Sequence, residues 1–519
     1  RIKIVMIAGG NHTSVSCRNS GKGGGVGNFE LFPFIEQHPL SQPVRAASSP
    51  IGEPRRAYTY TLGALSPGER IMTKDLTSGS PLKLIIQFTF PAFLGLLFQQ
   101  FYNVVDTIIV GKLLGIGPLA GVGATGSLSF MVLGFCIGVC NGFAIPIAQK
   151  FGANDQVALR KYVANSLWLT ALFSLVLTLP VAVFCRPILR LMNTPEDVFE
   201  FAYGYIFIIF LGIPTAFLYN ILAAILRALG DSRTPVLFLA LSSALNVGLD
   251  IATIKLLHMG VEGTALATVI SQGVSGVICF FYMRRRFSVL HMSAEERRPD
   301  RALFKRLCYM GIPMGLQYSV TAIGSLIIQA TMNGFGSIAV AGATAANRIN
   351  SFLTCPIEAL GASMAPYVGQ NLGAGKLDRI TKGVVDASVC GFVCSAVLYV
   401  VIWLFGEPLT GIFLDVPDPQ VIDYAVRFLR LTGAGYCLLT LVNTVRFSIQ
   451  GMGFSVLAIL SGVMEMIART VAGLVIAPHI GFAAVALGHP LAWLAADCFL
   501  IPAFLLCRRK VARVQHFES

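Results

Sequence analysis

The chain has 519 residues, 55% of them hydrophobic and only 13% charged, with a mean hydropathy of +0.71. That balance excludes an ordinary soluble globular protein and places most of the chain in lipid. The formal net charge of +13 does not mark a nucleic-acid binder, because no basic stripe interleaved with aromatics sits on a soluble segment.

Residues 1–71 come first and differ from everything after them. They are rich in Gly, Pro and Ser, with Pro33, Pro39, Pro43, Pro50 and Pro54 and no helical periodicity, so a disordered extension is expected. Met72 followed by Thr73, Lys74 and Asp75 has the look of a natural start, which makes an artefactual extension the expectation.

From Leu84 to Leu506, apolar stretches of about 20 residues recur with short polar breaks, the length a helix needs to cross the hydrocarbon. A transmembrane β-barrel would show alternating segments of about ten residues instead. Twelve spans are predicted, at 82–110, 117–145, 160–185, 199–226, 233–256, 261–284, 303–333, 337–367, 380–405, 421–447, 454–477 and 480–507. The fold class is therefore an all-α polytopic membrane protein. Twelve cysteines are scattered mainly through apolar segments with no CxxC pair, and read as small buried hydrophobes.

Orientation follows from the basic residues of short loops. Lys74, Lys150, Arg160, Lys161, Arg227, Arg233, the run from Arg284 to Arg306, Lys376, Arg379, Lys382 and Arg508 to Lys510 all fall on one side. Opposite loops carry Glu407, Asp415 and Asp418. Both termini are expected in the cytoplasm, and the protein in a bacterial plasma membrane.

An internal repeat spaced by about 220 residues is also present. Gly117 to Thr125 (GPLAGVGAT) resembles Gly336 to Thr344 (GSIAVAGAT), and Gln149 to Ala153 (QKFGA) resembles Gln370 to Ala374 (QNLGA). Gly212, Asn220 and Gly230 match Gly435, Asn443 and Gly453. Six spans per unit make the repeats parallel, about an axis near the membrane normal. The expected organisation is a six-helix bundle at 72–285, a basic cytoplasmic linker at 286–302, a second six-helix bundle at 303–510 and a cytoplasmic tail at 511–519.

A charged side chain deep in a span costs about 2.5–3.5 kcal/mol on insertion scales, so each is a candidate functional residue. In span one, Gln99, Asn103 and Asp106 form one polar face, with Tyr102 beside it. In span five, Asn246 and Asp250 stand at i, i+4 with no basic residue in the span to neutralise the carboxylate. An unpaired carboxylate in low dielectric suits a proton carrier; with the Asn246 carbonyl and the hydroxyls of Tyr102 and Thr268 it equally suits Na⁺. Asp106 has a second reading as an interfacial residue, and Tyr102 and Thr268 as packing residues.

The chain resembles the multidrug and toxic compound extrusion (MATE) family of secondary transporters over residues 75–507. The features that carry this are Pro91, Tyr102-Asn103-x-x-Asp106, the QKFGA and QNLGAG loops, Arg227-Ala-Leu-Gly230-Asp231, and Asn246-x-x-x-Asp250. The resemblance implies export of small organic, often cationic amphiphilic, compounds by antiport with H⁺ or Na⁺ through alternating access. It also implies that Tyr102, Asn246, Asp250 and Thr268 form a cation site, joined by Asp106 in proton coupling. No other cofactor, no metal beyond a Na⁺ site, no nucleic acid and no catalysis is expected; the partners are the bilayer and the substrates, and the protein is expected to act as a monomer. Some family members hold acidic cation-binding positions in spans seven and ten, but here those spans offer Gln317, Gln329 and Asn443, with no carboxylate before Asp423.

The repeat sets Glu465 opposite Asn246 and Arg469 opposite Asp250, a mutually neutralising pair that reads as structural or gating. For the substrate cavity the candidates are Gln100, Asn103, Met314, Gln317, Glu358 and Tyr436, with Phe98, Phe101 and Tyr318 as adaptable apolar surface. Glu358 either attracts cationic substrates or pairs with Arg348. A membrane-embedded enzyme is excluded for want of any clustered catalytic motif such as HExxH or GxSxG. The alternative function is a lipid-linked saccharide flippase, for which a cationic cavity and two further spans are expected.

Overall fold

The computed structural model describes residues 74–412 and 418–518, and the extension over residues 1–71 lies outside them. In chain order the helices are α1 (Pro81–Leu114), α2 (Ile116–Ala124), α3 (Gly126–Gly152), α4 (Gln156–Val183), α5 (Cys185–Leu191), α6 (Glu196–Leu211), α7 (Ile213–Ala228), α8 (Arg233–Lys255) and α9 (Val261–Arg286). The second half holds α10 (Arg301–Asn333), α11 (Ser337–Gly373), α12 (Leu377–Ile412), α13 (Pro419–Gly433), α14 (Tyr436–Gly451), α15 (Ser455–Val471), α16 (Ala477–Ile480) and α17 (Phe482–Glu518).

Among the described residues nine helical segments are long and apolar enough to cross a membrane, and eleven when the bent pairs α6–α7 and α13–α14 each count as one. The bends are 50° and 48° and fall at Gly212 and around Gly435, positions the repeat pairs with each other. α11 is the twelfth. It is too polar to pass by composition, yet its 37 residues reach about 55 Å, and four of its polar residues, Thr354, Ser363, Gln370 and Asn371, are buried in protein. Span two starts with the separate short helix α2, span eleven ends in a π-helical turn at Ala472–Ile476 before α16, and the residues expected as a tail continue α17.

Lipid-facing surface is legible as stripes at helical spacing. Val385, Val389, Val393 and Val397 are exposed along α12, as are Leu172, Leu175, Val176 and Leu179 along α4. The opposite faces pack into two large cores, and Ile145, Met310 and Met314 form a third, small cluster. One large core runs from Leu128 to Leu307, and the other gathers residues from Ile328 to Val511.

The first helix of each half leans on the other half. Leu84, Ile85 and Phe88 of α1 belong to the second core, and Leu307 of α10 belongs to the first. Close approach lets α10 cross α3: a methyl group on Gly142 would meet the Gly311 Cα at 2.5 Å, and one on Gly138 the Met314 carbonyl at 2.4 Å.

Candidate functional site

The carboxylate of Asp250 is brought to the first half's interior by α8, whose inward face repeats at Ser242, Asn246, Asp250 and Thr253–Ile254. Asp250 is fully buried and Asn246 is 1% exposed. In the orientation that satisfies its partners, the Asn246 amide donates to Asp250 Oδ2 at 2.8 Å, and its carbonyl accepts from the Thr268 N–H and hydroxyl, each at 3.1 Å. The Tyr102 hydroxyl lies 3.3 Å from Thr268 Oγ1. Three helices, α1, α8 and α9, thus bring Tyr102, Asn246, Asp250 and Thr268 into one chain of contacts. Asp106 arrives from α1, one turn beyond Tyr102, and its carboxyl interacts directly with that of Asp250.

One oxygen of each carboxyl, Asp106 Oδ1 and Asp250 Oδ1, is buried without a hydrogen-bond partner among the described residues. Two carboxyl groups in one desolvated pocket repel unless a proton or cation comes between them. Tyr205 of α6 lies in the electrostatic field of Asp106, Tyr102 and Asp250. Nothing in the sequence singled it out, because a tyrosine in an aromatic-rich span carries no pattern.

Beside this cluster lies a cavity of about 580 Å³ between the two halves. Tyr102 and Asn246 line it together with Gln99, Asn141 and Arg227 on one wall and Met314, Tyr318 and Glu358 on the other. The carboxyl pair and the cavity therefore share two side chains. Of the expected cavity residues, Met314 and Glu358 are on its wall. The other four are placed elsewhere. Gln100 donates to the Ser351 carbonyl at 3.2 Å, and Asn103 bonds back to Gln100 at 3.3 Å on an exposed face. Gln317 accepts from Gln450 at 2.7 Å, and the Tyr436 hydroxyl is spent on Asn350 at 2.6 Å in the second core. In each case a nearer polar partner claims the side chain. Glu358 Oε1 accepts from the Thr354 hydroxyl at 3.0 Å, and of its two expected roles the pairing with Arg348 is not formed among the described residues.

At the end of the molecule carrying the basic loops, the cavity is sealed by the repeated Gln motifs. Gln149 Nε2 donates to the Gly451 carbonyl at 3.0 Å, and Gln370 Nε2 donates to the Ala228 carbonyl at 2.9 Å, so each half bonds the end of a helix in the other. The oxygens are matched too: Gln149 Oε1 accepts from Arg306 at 3.3 Å and Gln370 Oε1 from the Leu76 N–H at 3.0 Å. Gly230 and Gly453, with φ of 85° and 94°, turn the chain just after those two helix ends.

The second half departs from the first. Glu465 and Arg469 are joined by Arg446 of α14, so Glu465 holds a guanidinium on each oxygen, that of Arg469 at 3.3 Å. The expected pair is a triad. Asp497 of α17 lies in its field, 3% exposed, with both carboxyl oxygens lacking a hydrogen-bond partner among the described residues. Arg446 and Asp497 were both legible as isolated charges in apolar spans and were missed.

The MatE family model matches residues 91–252 and 313–478, once in each half at equivalent positions. The chain belongs to the MatE family. Members of this family are transporters, not enzymes. Among curated relatives, the probable multidrug resistance protein YpnP of Bacillus subtilis is 30% identical over 72% of this chain and 85% of its own length. The FAD transporter of Shewanella oneidensis is 23% identical over 68% of this chain and 78% of its own. A crystal structure of a MATE protein in complex with MaL6 superimposes with a TM-score of 0.78 at 23% identity, covering 87% of this chain and all of the other. An outward-facing MATE-family transporter gives 0.77 at 22% identity, over 86% and 99%. These neighbours share the twelve-helix, two-bundle MATE fold described above.

Proposed function

We propose that this MATE protein is a secondary active exporter, moving small organic compounds out of the cell in exchange for H⁺ or Na⁺ by alternating access. The observation that carries this reading is the sharing of Tyr102 and Asn246 between the central cavity and the Asp106–Asp250 carboxyl pair. A cation or proton entering the pair removes the repulsion between the carboxyls and re-orients Asn246 and Tyr102, which form part of the cavity wall. Occupancy of one site thereby alters the shape of the other, the differential interaction that coupling requires.

The basic loops support a cytoplasmic position for the Gln149–Gln370 seal, and on that reading the arrangement is outward-facing with both termini inside. YpnP and other relatives named for multidrug resistance support drug-like substrates. The plasma membrane of a bacterium is the expected location, and the monomer, with its own cavity and its own carboxyl pair, the working unit.

The test is uptake of a fluorescent organic cation into inside-out vesicles under an imposed pH or Na⁺ gradient, for the native chain and Asp250→Asn. Gradient-driven uptake that Asp250→Asn abolishes is expected. Uptake indifferent to Asp250→Asn would remove the carboxyl pair from the coupling role.

A further inference from the structure

The inner end of the cavity carries a cation that ion coupling does not use. Arg227, in the last turn of α7, lines the cavity and donates from Nη2 to Asn141 Oδ1 at 3.0 Å. No carboxylate pairs with it among the described residues, whereas the guanidinium groups of Arg446 and Arg469 both bind Glu465. Its electrostatic neighbours are Tyr219 and Tyr318, both on the cavity wall, and the Cys140 thiol. A helix C-terminus favours a cation there, but the pull of the helix dipole leaves most of the five guanidinium donors unused.

We propose that Arg227, with the Asn141 amide and the Tyr318 hydroxyl, is an anion subsite that holds a carboxylate or phosphate group of the exported compound. The apolar body then lies against Ile137, Met314 and Phe447. This rests on the transport reading above and adds a substrate class to it. Arg227 takes the anionic group from the first half's wall, while Glu358 on the second half's wall stays available to cations, and Tyr318 lies in the field of both. Directly below Arg227, the Ala228 carbonyl accepts from Gln370, so a bound anion sits on the inner seal.

The test is equilibrium binding to the purified full chain of two dyes with one xanthene body, anionic fluorescein and cationic rhodamine 6G. Arg227→Gln is expected to weaken fluorescein about ten- to hundredfold, the weight of a charge-assisted hydrogen-bonded contact, and to leave rhodamine 6G within about twofold. Arg227→Lys is expected to recover part of the loss. Competition by benzoate against phenyl phosphate separates the carboxylate from the phosphate. Equal loss of both dyes, unchanged fluorescein affinity in Arg227→Gln, no saturable fluorescein binding by the native chain, or displacement by neither competitor overturns the subsite. If Arg227→Gln fails to fold by thermal unfolding, Asn141→Leu carries the same test, with a loss confined to fluorescein expected. Failure of the transport reading is a separate result: no gradient-driven uptake of either dye into vesicles, with the binding difference intact.

Discussion

At the scale of single residues the two halves use their buried charges in opposite ways. Asp106 and Asp250 face each other with no basic partner among the described residues, while Glu465 is clamped between Arg446 and Arg469. Removing the central acid of such a triad leaves two buried guanidiniums without the carboxylate that both of them bind, which costs about 3–5 kcal/mol. Glu465→Gln is therefore expected to lower the thermal unfolding temperature of the purified protein sharply, whereas Asp250→Asn, which relieves repulsion, is expected to keep or raise it. Equal losses in the two variants would mean that Asp250 has a hidden counter-charge. Much of the carboxyl site was legible in sequence because Asn246 and Asp250 share a helix face and Tyr102 and Asp106 share another. The triad was only half legible, since Arg446 lies on a different helix from Glu465, and i, i+4 spacing reveals partners within one helix only.

Among the elements, α4 does a second task at its basic end: it docks the linker between the halves. Arg160 holds Glu296 through Nε at 2.9 Å and Nη2 at 2.8 Å, the Trp168 indole donates to the Arg297 carbonyl at 3.0 Å, and the Asn165 carbonyl accepts from the Asp300 N–H at 2.8 Å. The side-chain bonds from Arg160 hold Glu296 below the usual carboxylate range. A depressed acid contributes docking strength above its ordinary value of about 4.3 and loses it as the pH falls below that. Hydrogen exchange over residues 293–300 should therefore be slow near neutral pH and, once corrected for intrinsic rates, faster below about pH 4. Glu296→Gln should show the fast behaviour at neutral pH and be cut sooner by trypsin after Arg297, the Arg298–Pro299 bond being resistant; unchanged cutting would place the linker's anchorage elsewhere. None of this docking was visible in the chain, where the same residues read only as a run of basic charge. The bends at Gly212 and Gly435 were half visible: the repeat paired these glycines, but a composition-based span passes through a bend without a signal.

For the molecule as a whole, the repeat means that each half supplies the other's seal. Gly152 and Gly373 close the two Gln motifs, and an added methyl group on them would meet the Gln370 carbonyl oxygen at 2.0 Å and the Gln149 carbonyl oxygen at 1.8 Å. These contacts are with backbone, so neither can be relieved by turning a side chain, and even alanine must push the halves apart at this end. The QKFGA and QNLGA segments stood out as a repeat, but their role did not, because the carbonyls they bond belong to the opposite half. A reporter of closure is at hand: a Cβ built on Gly369 lies 3.0 Å from the Ala148 Cβ, so that a parting of about 0.5 Å brings the pair into the range a disulfide spans. With the exposed Cys437 and Cys498 replaced, Ala148→Cys with Gly369→Cys is expected to cross-link in the resting protein and to arrest transport until reduced. Adding Gly373→Ala should lower the cross-linking yield and shift the population toward the state open at the basic end, since bulk there penalises only the closed one. Cross-linked protein that still transports at the native rate would show that the halves need not part at the Gln motifs. The cavity would then have to exchange its contents by another route.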